Sequence, residues 1–185
     1  MIGGILIVII LLMAVLFVAL SYNSLVKSDE TVNEKWANVE TAYQRRADLI
    51  PNLVAVVEGA TDYEGEVLRD LTEARASVGK AQTPAQLQAA GEQMDSALSR
   101  LLVVVENYPN LKATEAFLSL QDQLEGTENR IKTERDLFNK AIKDYNVNVR
   151  SFPNNFMAGM FGFSVKEGFV AAEGADVVPI VDFDD

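Results

Sequence analysis

Arg45, Arg46 and Asp48 form one polar group in this chain, and Glu125, Glu128, Asn129 and Arg130 form a second group far along it. Two chemistries are open to such residues. Glu125 and Glu128, spaced by three on a helix and joined by Glu64, would give an all-carboxylate site for Ca²⁺ or Mg²⁺, although such sites normally use loops or bound phosphates. Alternatively, Arg45 or Arg46 pairs with Glu125 or Glu128 across two helices, because an unpaired charge on a core-facing stripe costs several kcal/mol or more. The second reading is favoured, with Arg45, Arg46, Asp48, Glu125, Glu128, Asn129 and Arg130 as a structural network. The chain has no histidine and no cysteine, which removes Ser-His-Asp and Cys-His catalysis, thiolate zinc sites and the Glu-x-x-His pair of di-iron bundles. No catalytic, cofactor-binding or metal-binding residue is therefore assigned, and no cofactor is expected.

The elements that must carry these groups are long helices. Val32, Trp36, Val39, Tyr43, Arg46, Ile50, Leu53, Val57, Ala60, Glu64, Val67, Leu71, Ala74 and Val78 follow alternating steps of four and three, the seam spacing of packed helices. Pro51 predicts a kink, and Thr61-Asp62-Tyr63-Glu64 after Gly59 reads as a capping box. The chain reverses at one of these places or runs on as a kinked rod. Thr83-Pro84-Ala85-Gln86 starts a second helix, with Leu87, Ala90, Met94, Ala97, Leu101 and Val104 on its seam. A last helix over 114–151 carries Phe117, Leu120, Leu124, Thr127, Ile131, Glu134, Phe138, Ala141, Tyr145 and Phe152, and Pro153 stops it. The asparagines at 23, 107, 110, 139, 146 and 148 show no usable spacing.

Ahead of all this, residues 1–26 carry no charged side chain, and residues 5–20 are apolar without interruption. About 20 such residues cross a hydrocarbon layer about 30 Å thick. A cleaved export signal is the alternative, but it would have a basic start and a shorter apolar run. Lys27, Lys35, Arg45 and Arg46 follow the span, which places the polar domain on the cytoplasmic side and the N-terminus outside.

Net charge is −11, from 16 basic and 27 acidic residues. That disfavours nucleic acid, whose phosphates require clustered Lys and Arg. It also leaves the greasy helix, not electrostatics, to hold the protein at lipid. Beyond Pro153 the character changes: glycines, an acid excess and the apolar patch Phe156, Met157, Met160, Phe161 and Phe163. A patch of this size calls for a contact on the bundle, a neighbouring copy or the membrane. Residues 177–181, interrupted by Pro179, would form at most an edge strand.

Several motifs resemble the LemA family. They are Gln44-Arg45-Arg46-Ala47-Asp48-Leu49-Ile50-Pro51-Asn52-Leu53-Val54, Asn110-Leu111-Lys112-Ala113, and Gln121-Asp122-Gln123-Leu124-Glu125-Gly126-Thr127-Glu128-Asn129-Arg130-Ile131. Tyr145-Asn146, Phe152-Pro153, Trp36 and Tyr22-Asn23 fit as well. The resemblance runs from the anchor to about residue 163. It implies a single N-terminal span, an up-and-down helical bundle facing the cytoplasm, and a reversal near Pro51 or Gly59. It implies no assigned reaction, and relatives occur among proteins of magnetosome membranes. Relatives often carry a histidine after the first motif, where this chain has Asp62-Tyr63-Glu64.

The expected fold is thus all-α: a transmembrane helix over 1–22, a long-helix antiparallel bundle of four-helix type over 23–152, and an irregular Gly/Phe-rich acidic tail over 153–185. The expected role is a bacterial single-pass membrane protein that self-associates and organises or shapes its membrane without catalysis. Its partners would be the bilayer, through residues 1–22, and further copies of itself. The competing role is a membrane-tethered adaptor presenting an acidic bundle to a protein partner. A hydrolase or metal enzyme stands last.

Overall fold

A computed structural model describes residues 2–60 and 65–170. Helix α1, Ile2–Ala60, is about 90 Å long at 1.5 Å per residue. Helix α2 (Glu66–Val78) returns along it, α3 (Pro84–Val105) reverses again, and after the short α4 (Pro109–Lys112) the long α5 (Glu115–Arg150) runs back down α1. Helix α6 (Asn154–Phe161) closes the series. No strand occurs among the described residues.

The side-chain contacts fix the directions. Arg75 of α2 reaches Ala47, Asp70 of α2 pairs with Arg100 of α3 at 2.9 Å, and Trp36 of α1 packs on Phe138 of α5 with centroids 5.4 Å apart. These are the contacts of an up-down-up-down four-helix bundle. Helix α1 thus passes Pro51 and ends at Ala60, next to Gly59, and the chain returns in α2 from Glu66, so the second of the two expected places holds and neither a turn at Pro51 nor a continuing rod is found. The proposed capping box at 61–64, Glu64 and the 177–181 segment lie outside the described residues.

Pro51 is passed without ending the helix. It has no N–H for the carbonyl one turn back, and that carbonyl, on Ala47, instead accepts a bond from Arg75 Nε at 3.2 Å. The orphan left by the proline is filled from the returning helix, as a buried carbonyl requires.

The heptad seam supplies the core. Val39, Ile50, Leu53 and Val57 of α1 are buried with Leu71, Ala74 and Val78 of α2, Leu87, Met94 and Leu101 of α3, and Phe117, Ile131 and Tyr145 of α5. Three seam positions depart from expectation at helix ends. At the start of α2 it is Leu68, not Val67, that is buried. Val105, not Val104, is buried at the end of α3, and Phe152 is 81% exposed because α5 has stopped at Arg150. At the start of α3, Thr83 Oγ1 accepts from Gln86 N at 3.2 Å while the Gln86 side chain accepts from Gln82 N at 2.9 Å. The two ends of that turn are satisfied reciprocally.

Residues 3–17 of α1 are exposed throughout, and burial begins at Val18 and Ser21. An 18-residue window there has mean hydropathy 3.2. This part of α1 is long and apolar enough to cross a membrane.

Candidate functional site

Arg46 sits at the centre of the bundle, its side chain 8% exposed, with one guanidinium nitrogen 2.5 Å from Glu128 of α5 and the other 2.6 Å from Asp95 of α3. One cation thus ties three helices through charge-assisted bonds. Both carboxylates are half exposed, so water screens their outer faces. Arg46 Nε has no hydrogen-bond partner among the described residues. The cluster edges a cleft of about 440 Å³ whose walls include Leu53, Leu98, Phe117 and Glu125. Beside it, burial pushes the Tyr43 phenol above its usual pKa, with Arg135 opposing and Glu128 and Asp95 adding to the rise.

The other residues of the expected network divide by face. Arg45 is exposed, since neighbours on a helix point about 100° apart. Asp48 accepts from Gln44 at 2.8 Å on that same outer surface. Glu125 lines the cleft without an ion pair among the described residues. Asn129 is exposed. Arg130 turns to Glu134, one turn on, at 2.7 Å. Glu134 is 3% exposed, and its second oxygen has no partner among the described residues. The sequence reading names Glu134 only as a member of the last helix's seam and does not name Asp95. Glu134 carried the signal, a charge on an apolar seam; Asp95 carried none.

The stretch after α5 is ordered by asparagines. Asn139 donates to Phe169 O at 3.1 Å and accepts from Phe169 N at 2.9 Å; Asn146 does the same with Lys166 O and N, both at 2.9 Å. Each amide side chain thus stands in for a neighbouring β-strand. Seven helical residues rise about 10.5 Å and three extended residues span about 10 Å, so the two spacings coincide. Tyr145 OH adds a bond to Ser164 O at 2.9 Å. The strap ends with Phe169 buried between Trp36 and Phe138, with Arg135 4.6 Å above its ring. Lys166 pairs with Asp29 of α1 at 2.7 Å.

Between α5 and the strap, α6 lies against α1 and α5. It stops at Gly162, whose φ of 80° suits glycine, and Phe163 N closes back on Ala158 O at 2.9 Å. Of the apolar patch, Phe161 and Phe163 meet Tyr22 edge-on at 4.9 and 6.0 Å, and Met157 packs partly on the core. Phe156 and Met160 point outward, 64% and 71% exposed.

The sequence profile of the LemA family matches residues 35–183. The chain belongs to the LemA family. Its relatives include Magnetosome protein MamQ 2 of Paramagnetospirillum magneticum, 27% identical over 205 residues covering 95% of this chain and 75% of the relative. Magnetosome protein MamQ of Magnetospirillum gryphiswaldense is 25% identical, covering 86% of this chain and 68% of the relative. Protein LemA of Metamycoplasma hominis is 23% identical over 140 residues, 74% of this chain and 63% of the relative. In this LemA-family chain the profile takes in the Arg46 cluster, α6 and the strap, and starts beyond the apolar part of α1.

Proposed function

We propose that this LemA-family protein is a structural component of a bacterial membrane, anchored by α1, that self-associates and organises or shapes the membrane without catalysing a reaction. The observation that carries the reading is where charge and grease are spent. The buried cation Arg46 is occupied by Asp95 and Glu128 inside the bundle, while large apolar side chains stay outside. Leu102 and Val103 at the end of α3 and Leu118 at the start of α5 are 45%, 65% and 47% exposed. All three sit at the end of the bundle away from the span, and in this reading they make up a contact surface. Confinement to a bilayer raises the encounter rate of such tips between copies. Two of the relatives are named as magnetosome proteins, which supports a structural role at a membrane. The bundle faces the cytoplasm in this reading, from the bases that follow the span.

Sizing of the full chain in mild detergent tests it. A multi-copy particle that shrinks on Val103→Glu supports self-association through the tip; a monomer at every concentration refutes it. The acidic, half-exposed Asp95 and Glu128 favour a second reading, an adaptor for a protein partner, which a monomer would bring forward.

A further inference from the structure

We infer that α6 is a second lipid contact, lying in the plane of the same leaflet that the end of the span occupies, with an acyl chain seated between it and α1. It requires the anchoring of α1 but not self-association. Phe161 closes an apolar crevice of about 480 Å³ with Ala14, Val15, Val18, Ala19 and Tyr22. Ala14, Val15, Val18 and Ala19 belong to the apolar run and Tyr22 follows it by two residues, so Phe161 sits where the run leaves hydrocarbon. The rise from Ala14 to Tyr22 is about 12 Å, which sets α6 at the border of a hydrocarbon layer about 30 Å thick.

The outer face of α6 agrees with that depth. Phe152, Phe156 and Met160 are 81%, 64% and 71% exposed, and Phe152 and Phe156 meet edge-on at 6.0 Å. Between Arg150 and Lys166 the chain carries no charge. The surface is therefore continuous with that of the span, and a helix of this kind lies in the interface with its apolar face sunk about 5–10 Å. Because α6 enters one leaflet only, it acts as a wedge.

The chain's lack of cysteine permits the test in the full-length protein. Phe156→Cys, Met160→Cys, Leu20→Cys in the span and Glu92→Cys on α3 are labelled with a fluorophore, each in nanodiscs holding one protomer. Nitroxides on lipid tails should quench labels at 156 and 160 several-fold more than at 92 and close to the level at 20. Quenching at 156 and 160 by a water-soluble agent as strong as at 92 would overturn the inference. Protection from both quenchers with one protomer per disc would overturn it too, because protein and not lipid would then cover the patch. Photoactivatable lipid tails give a second measurement on the unsubstituted chain. Adducts should map to α1 and to the peptide spanning 152–163; adducts on α1 alone would count against it.

Discussion

Arg46 draws carboxylates from two other helices, so its substitutions read out the cluster directly. Arg46→Met leaves Asp95 and Glu128 half in water, and the expected loss is about 1–2 kcal/mol. Arg46→Glu puts a third carboxylate into the bundle and should cost more than about 3 kcal/mol. Adding Glu128→Arg should restore part of that, and Asp95→Asn a further part, since Asp95 would still face the new Glu. Thermal unfolding in detergent checks the series; a double variant no more stable than Arg46→Glu alone would reject the pairing. Glu134 predicts the opposite sign. It is buried on an apolar seam with one oxygen unpartnered, and its partner Arg130 is 64% exposed and returns to water easily. Glu134→Leu should raise stability by about 1 kcal/mol, a rise in Tm of about 2–4 °C; a fall would show that the ion pair outweighs its desolvation.

At the scale of elements, the proline in α1 and the strap along α5 make separate predictions. Arg75→Met removes the donor to Ala47 O and should loosen α2 from α1 by about 1–3 kcal/mol. In the Pro51→Ala background that penalty should mostly vanish, because residue 51 then supplies the N–H; an equal penalty in both backgrounds would contradict the account. A Cβ at Gly168 would collide with Asn139 Oδ1. Gly168→Ala should therefore break the Asn139–Phe169 pairing and speed amide exchange at Phe169, with α5 protection unchanged; unchanged exchange at Phe169 would contradict it. These cases show what a sequence displays. The Thr83-Pro84 start and the seam residues were legible because capping and heptad spacing are local. Pro51 looked like a break because the donor that relieves it lies on another helix. Asn139 and Asn146 looked patternless because their spacing has meaning only beside an extended strap, and Asp95 was invisible because an exposed-side carboxylate looks the same whether or not an arginine reaches it.

Across the whole molecule, the apolar start of α1 is long enough to cross a membrane and carries an ion-paired helical bundle; the proposed self-association rests on the apolar side chains exposed at the bundle's far end. The all-α bundle and the LemA family were both readable from motifs and periodicity; the path of the tail was not, since nothing local in 153–170 announces α6 or its strap. Self-association is the central claim. The most direct measurement is the copy number of the full chain, each copy carrying one fluorophore, counted by single-molecule photobleaching in liposomes across decreasing protein-to-lipid ratios. Multi-step clusters that persist on dilution and fall to fewer steps with Val103→Glu are the expected result. Single-step spots at every ratio would contradict the account.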